Sequence, residues 1–154
     1  MTNTRLLRVA AVLAIVALVL PPFVPPARSQ GGTIKIGMLA PLTGPFAQIG
    51  KDMVNGTELF LDEAGRQMGG RKVELIVEDD EGNPATALNK TRKMVEQDKV
   101  HIVTGGLLAN VGYALQPYID AQRIPATYPV MAADDIPQRK PAEYIVRTGW
   151  ATSQ

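Results

Sequence analysis

The chain has 154 residues, no cysteine, one histidine and a net charge of +1. Its length suits one domain of ordinary size, and its hydrophobic share of 45% is that of a globular chain, which excludes a disordered one. Three basic residues fall within residues 1–29, so 13 basic residues face 15 acidic ones in the remainder; a net charge of −2 provides no basic surface for nucleic acid.

The first 29 residues have the pattern of a secretory signal peptide. Two arginines precede the apolar run AAVLAIVALVL, and the proline-rich PPFVPPARSQ follows it. Ala27 and Ser29 have the small side chains that precede a cleavage site, which predicts cleavage between Ser29 and Gln30. A transmembrane anchor is the alternative, but the apolar run is short for the ~30 Å hydrocarbon layer of a bilayer. We therefore expect removal of residues 1–29 and a mature domain over residues 30–154.

The absence of cysteine bears on where the mature protein works. Without disulfides the domain must be held together by its core. Lipid anchoring of an exported bacterial protein requires a cysteine after the apolar run, and none is present. The sequence thus predicts a free protein of the bacterial periplasm, where functions that need cytoplasmic ATP or NAD are disfavoured.

The mature chain alternates apolar runs with helical stretches. Strands are predicted over residues 34–40, 72–78, 101–106, 124–129 and 143–148, and helices over residues 48–66, 84–97 and 110–122. In the first helix Ile49, Met53, Gly56, Phe60 and Ala64 recur at a spacing of three to four residues; the inward stripe of the second is predicted to be Leu88, Thr91 and Val95. This alternation predicts an α/β fold, a parallel sheet with helices on both faces.

The loops that follow the strands are the expected ligand site, because open parallel sheets bind ligands outside the carboxyl ends of their strands. The first loop, PLTGPFAQ (41–48), is uncharged and leads into a helix. The segment GGLLAN (105–110) places two glycines before another helix. Exposed backbone N–H groups and the positive ends of two helix dipoles predict a site for a carboxylate.

Motifs for other chemistry are missing or weak. The first turn lacks the G-x-G-x-x-G fingerprint of dinucleotide binding, and no phosphate-binding G-x-x-x-x-G-K-[ST] occurs. Asp79 and Asp80 resemble the magnesium site of receiver domains, but phosphotransfer does not fit an exported chain, so we interpret them as a solvated acidic turn. His101 stands alone and is interpreted as structural. No metal site, cofactor or catalytic set is expected, which argues against an enzyme.

Taken together, these segments resemble the leucine/isoleucine/valine-binding protein family, the type I periplasmic solute-binding proteins that serve ABC importers. The segments that carry the resemblance are IKIG-x-LAPLTGPFAQIG, GGRKVELIVEDDEGNP, the GG-x-x-AN pattern, IP-x-x-YP and YIVRT. They extend over residues 33–154. The resemblance implies one lobe of a two-lobed fold that closes on its ligand, with the second lobe and the last returning elements of this lobe absent.

The resemblance also implies a ligand site. In the amino-acid binders, a serine after the third strand and a segment ending in threonine after the fourth bind the ligand's carboxylate. Those positions correspond to Ala109 and to residues 130–132, so both hydroxyls are absent here while the backbone N–H groups remain. The implied ligand-binding residues are Phe46, Ile49, Ala109, Asn110, Val130, Met131 and Ala132.

The resemblance implies a non-enzymatic binding protein, monomeric at full length, that delivers its ligand to an ABC permease of the inner membrane. The ligand is a branched-chain amino acid or a small aromatic or aliphatic carboxylate, and the missing hydroxyls suit the second class at least as well. Two alternatives remain open: a sensor of the same fold that reports to a signalling partner, and an exported enzyme with a flavodoxin-like fold.

Overall fold

The computed structural model describes residues 31–131, residue 136 and residues 142–149. The predicted signal peptide with its cleavage position at Ser29 and Gln30, and the predicted ligand residue Ala132, lie outside these residues. No helix in the described part is long and apolar enough to cross a bilayer.

Strands and helices alternate along the described chain. The elements are β1 (Ile34–Ala40), α1 (Ala47–Glu63), β2 (Gln67–Met68), β3 (Arg71–Asp79), α2 (Pro84–Glu96), β4 (Ile102–Gly105), α3 (Ala109–Gln122), β5 (Ala126–Tyr128) and β6 (Ile145–Arg147). A single 3-10 turn, Gly44–Phe46, leads into α1. The five predicted strands and three predicted helices are confirmed, with ends that differ by up to three residues.

The sequence did not predict the short strand β2. It pairs antiparallel with the start of β3, Gln67 opposite Lys72 and Met68 opposite Arg71. Gly69 and Gly70 join the two strands with φ of +57° and +75°. A two-residue hairpin turn of this hand requires positive φ at both positions, which glycine adopts without steric cost. The two glycines therefore make a turn where the sequence predicted only a break.

The sheet has the order β2-β3-β1-β4-β5-β6, and every pair except β2–β3 is parallel. From β1 the chain moves outward to β3, and then returns to place β4 on the other side of β1. The order therefore reverses between β1 and β4, and the carboxyl ends of these two strands border the crevice where parallel sheets bind ligands.

The main core lies between the sheet and the helices α2 and α3. It is formed by Leu39, Val103 and Tyr128 from the sheet and by Met94, Leu115 and Ile119 from the helices. The predicted stripe of α2 was partly wrong: Ala87, Thr91 and Met94 are buried, whereas Leu88 and Val95 are half-buried at the edge of the core. Gly37 of β1 leaves room for Met94 on the buried side of α2, since a Cβ at Gly37 would lie 2.8 Å from Sδ of Met94.

The residues that recur at helical spacing along α1 do not form its buried side. Ile49 is 46% exposed and Phe60 is 58% exposed, while Gly50 and Leu61 are the residues that α1 buries. A Cβ at Gly50 would lie only 2.0 Å from the carbonyl oxygen of Pro41, so close contact with the first loop fixes the rotation of α1. The apolar stripe instead borders an open groove of about 360 Å³, lined by Met38, Asp52, Met53, Gly56, Thr57, Phe60, Pro129 and Val130.

Candidate functional site

Four loops meet at the carboxyl edge of the sheet. The N–H of Asp80, after β3, donates to the carbonyl of Ala40 at 3.1 Å, and the N–H of Gly106, after β4, donates to the carbonyl of Leu39 at 2.7 Å. A Cβ at Gly106 would lie 2.3 Å from Cε of Met131, which brings the loop after β5 to the same place. The structure thus gathers the loops that the sequence predicted to form the site.

An apolar rim, defined here as Phe46, Gly82 and Leu108, joins three of these loops. A Cβ at Gly82 would lie 3.7 Å from Cδ2 of Phe46 and 3.3 Å from Cδ1 of Leu108. Gly82 has φ of +64°, which a side chain would strain, and its missing Cβ leaves room for the two neighbours. Phe46, predicted from the sequence to lie near a ligand, is half-buried at this rim.

The start of α3 presents backbone N–H groups that the described residues leave without an acceptor. Leu108 at the N-cap makes no side-chain cap, and its carbonyl accepts the N–H groups of Val111 and Gly112 at 3.1 and 3.3 Å. Within the described chain, the N–H groups of Ala109 and Asn110 are left without an acceptor. Unpaired N–H groups and the positive dipole end make such a helix start suited to an anion.

The start of α2 is different, because the chain caps it internally. The side-chain oxygen of Asn83 accepts the N–H groups of Ala85 and Thr86 at 2.8 and 3.1 Å, and Pro84 has no N–H to satisfy. The start of α2 is therefore capped by a side chain of the chain itself, whereas the start of α3 has no side-chain cap.

The predicted ligand residues differ in what they can present at this edge. The side-chain oxygen of Asn110 accepts the N–H of Val111 at 2.9 Å, so this side chain folds over the start of its own helix. Met131 is fully buried against Gly106 and Gly112, which leaves only its backbone for a ligand. Val130 lines the open groove beside α1, and Ile49 lies exposed on α1 itself.

The interpretation of Asp79 and Asp80 as a solvated acidic turn was incomplete, because the half-buried Asp79 also bonds the neighbouring loops. Its Oδ1 accepts the N–H groups of Leu42 and Glu81, both at 2.8 Å, and its Oδ2 accepts the hydroxyl of Thr43 at 2.8 Å. Partial desolvation raises the pKa of Asp79, but the donors from Glu81, Thr43 and Leu42 outweigh it and hold the pKa below its ordinary value. Because Asp79 already uses the Leu42 N–H, the first loop does not offer that donor to a ligand.

Asp80 is fully buried, which the sequence also did not predict. Its Oδ1 accepts the N–H of Gly82 at 2.8 Å and its carbonyl accepts the N–H of Asn83 at 2.8 Å. Its Oδ2 has no hydrogen-bond partner among the described residues. Burial raises the pKa of Asp80 and the neighbouring Asp79 adds to this, against the opposing effect of the Gly82 N–H. Asp80 therefore holds the second loop in place without facing solvent.

The remaining titratable candidates serve the fold. Nδ1 of His101, predicted to be structural, accepts the N–H of Lys35 at 3.1 Å and so joins β1 to the start of β4. Glu78 forms ion pairs with Lys90 at 2.8 Å and with Lys93 at 2.6 Å, which tie β3 to α2. No group of three or more His, Cys, Asp or Glu residues within the described ranges could hold a metal ion.

The chain is similar to known periplasmic binding proteins. Residues 33–154 match the periplasmic binding protein family. The Leu/Ile/Val-binding protein BraC3 of Rhizobium johnstonii is 32% identical over 108 residues, which are 69% of this chain and 29% of the relative.

Two solved structures share the fold over most of the chain. The ABC transporter substrate-binding protein from Sphaerobacter thermophilus is 35% identical with a TM-score of 0.76, covering 79% of this chain and 33% of that one. A solute-binding protein of an ABC transporter from R. palustris, in complex with benzoate, is 30% identical with a TM-score of 0.73, covering 78% and 33%. The chain thus spans about a third of the length of these relatives.

Proposed function

Because this chain belongs to the periplasmic binding protein family, we propose that the complete protein captures a small carboxylate between two lobes and delivers it to an ABC permease of the inner membrane. In this proposal residues 1–29 direct export and are removed, and residues 30–154 form most of the N-terminal lobe of a monomeric periplasmic protein. The protein binds and releases its ligand unchanged, without a metal or cofactor.

The observation that carries the proposal is the start of α3, which has no side-chain cap and lies beside the apolar rim. The N–H groups of Ala109 and Asn110 can donate to a carboxylate, and the positive end of the helix favours its charge. Phe46 and Leu108 offer apolar surface next to it. Such a site suits a ligand with one anionic end and an apolar body.

The ligand class follows from the same surface and from the relatives. BraC3 is named for leucine, isoleucine and valine, and the R. palustris protein was solved with benzoate. Ala109 brings no hydroxyl to the helix start, so the carboxylate is held by backbone N–H groups and the ligand body by apolar contact. Benzoate and leucine are therefore the two probes of choice, and we expect the aromatic acid to bind at least as well.

The proposed mechanism is capture by closure of two lobes about a hinge. Closure removes water from the carboxylate, and electrostatic attraction to the N–H groups strengthens as the surrounding dielectric constant falls. In this proposal the chain, which spans about a third of the length of its relatives, provides one wall of the site. We therefore expect this chain alone to hold its ligand weakly, with a dissociation constant in the millimolar range, about −4 kcal/mol.

An NMR titration tests the proposal on the chain as it stands. Benzoate, added to the uniformly ¹⁵N-labelled protein, should shift the amide resonances of Ala109 and Asn110 saturably, and leucine should do the same. Benzyl alcohol, which keeps the ring and lacks the carboxylate, is the matched control and should leave both amides in place.

Two results would contradict the proposal. One is an absence of saturable shifts at the start of α3 with either acid. The other is binding at the opposite edge of the sheet, near Gly69 and Gly70.

A further inference from the structure

We propose that Asp79 is a positioning residue that fixes the orientation of the ligand: its carboxylate uses the donors of the first loop, so that the ligand's carboxylate is directed to α3 and its apolar body to the rim. This inference rests on the proposed function. It concerns a residue that lies outside the ligand positions predicted from the sequence.

The carboxylate of Asp79 occupies hydrogen-bond donors that a bound anion could otherwise use. The two oxygens of Asp79 accept three hydrogen bonds, from Leu42, Thr43 and Glu81, each at 2.8 Å. Two of these donors belong to the loop after β1 and one to the loop after β3. A carboxylate with several N–H and O–H donors is strongly held, and it also stays ionised. The first loop is thus tied in place, with the negative charge of Asp79 bound against it.

The hydrogen bonds of Asp79 connect to the apolar rim through the loop after β1 and the loop after β3. Thr43 and Leu42 lead directly into the 3-10 turn Gly44–Phe46, which ends at the rim residue Phe46. Glu81 precedes Gly82, the rim residue that lies between the Phe46 and Leu108 side chains. Asp79 therefore holds two of the three sides of the rim at a fixed separation before any ligand arrives, which lowers the ordering cost of binding.

The charge of Asp79 decides which end of the ligand meets which loop. Two helix starts, those of α1 and α3, lie at this edge of the sheet, and the sequence alone predicted that both could receive an anion. The loop that leads into α1 is bound to the ionised carboxylate of Asp79, which repels a second carboxylate. At the start of α3, by contrast, the described residues leave two N–H groups without an acceptor. Of the two orientations, only the one with the ligand's carboxylate at Ala109 and Asn110 avoids the repulsion.

The test compares three chains in the same benzoate titration, followed at the amides of Leu42, Thr43, Ala109 and Asn110. In the parent chain we expect saturable shifts at Ala109 and Asn110 and none at Leu42. In Asp79→Ala the first loop loses its internal anion, so saturable benzoate shifts should appear at Leu42 and Thr43 as well. Thr43→Val removes one hydrogen bond and keeps the charge, and should show the parent pattern.

Formate is the second probe, because it is small enough to take the place of the missing carboxylate. It should raise the melting temperature of Asp79→Ala more than that of the parent chain, with chloride as the salt control. Asp79→Asn, which keeps an acceptor oxygen without charge, provides the same comparison if the alanine variant does not fold.

The outcomes separate the inference from the function on which it rests. An absence of shifts at Ala109 and Asn110 in the parent chain contradicts the proposed function, while the formate experiment still tests Asp79. Shifts at Leu42 in the parent chain, or a parent-like pattern in both Asp79 variants together with no response to formate, would overturn the positioning role.

Discussion

Asp79 and Asp80 are adjacent carboxylates whose environments have opposite effects on their ionisation. Three donors hold the pKa of Asp79 below its ordinary value, and burial beside Asp79 raises the pKa of Asp80. Asp79 therefore contributes stability that is present above its unfolded pKa and is lost as pH falls through its folded pKa. Asp80 contributes stability that is present below its unfolded pKa and is lost as pH rises through its folded pKa.

We expect single asparagine variants to show these opposite signs. The stability of Asp79→Asn relative to the parent should fall as pH rises through the range below the ordinary aspartate pKa of about 3.9, and that of Asp80→Asn should rise as pH increases above it. Urea unfolding on both sides of this pKa measures both differences. Slopes of the same sign would show that the two carboxyl groups are not distinguished in this way.

The sequence predicted the location of these acids and missed their roles, for a physical reason. A pair of aspartates after a strand has the same pattern whether water or backbone N–H groups solvate it. The three donors to Asp79 come from residues 37 and 36 positions earlier and two positions later, and only the folded chain brings the distant ones near. Phe46 and Ala109 were predicted to lie near a ligand, and they lie at the rim and at the open helix start.

At the scale of elements, glycines decide how α1 packs. A Cβ at Gly50 would lie 2.0 Å from the Pro41 carbonyl oxygen, whereas a Cβ at Gly56, two turns along the same helix, would have no atom within 4 Å. Gly50→Ala should push α1 from the first loop and cost about 1–3 kcal/mol. Gly56→Ala, the matched control, should stabilise the chain by about 0.5–1 kcal/mol, because alanine favours a helix interior.

Urea unfolding of the two glycine variants distinguishes close packing from simple helix propensity. Equal stabilisation by both substitutions would mean that Gly50 makes no close contact with the first loop. The pair also shows why helical spacing in the sequence does not identify the buried face of α1. Periodicity counts large apolar side chains, and the buried side of this helix is marked by a residue that has none.

Within the part of the chain that the structure describes, the two faces of the sheet are covered unequally. Helices α2 and α3 pack on one face, and α1 packs against β1 and β3 on the other. Parallel sheets are normally buried on both faces. Here Phe60 and Val146 remain 58% and 60% exposed, and the open groove lies beside α1. Composition could not reveal this, since the sequence specifies how apolar the elements are and not how many helices lie on each face.

We expect this uncovered surface to bind an apolar dye such as ANS. Replacing Phe60, which lines the groove, with Gln should lower the dye fluorescence more than Leu59→Gln, because Leu59 is equally apolar and 61% exposed but does not line the groove. Far-ultraviolet circular dichroism should remain unchanged in both variants. Equal losses of fluorescence would mean that the dye does not recognise the groove.

The most direct measurement is benzoate affinity after a single N–H has been removed from the start of α3 by Ala109→Pro. Ala109 is the first helical residue, where proline is tolerated, and Leu108 has φ −89° and ψ 137°, which suit a residue before proline. Ala109→Pro should weaken benzoate binding by at least about fivefold, the worth of roughly one hydrogen bond, in the titration followed at Asn110. Ala109→Ser, which keeps the N–H, should bind as well as the parent or better. Parent-like affinity in the proline variant would contradict the claim that backbone N–H groups at this helix hold the ligand.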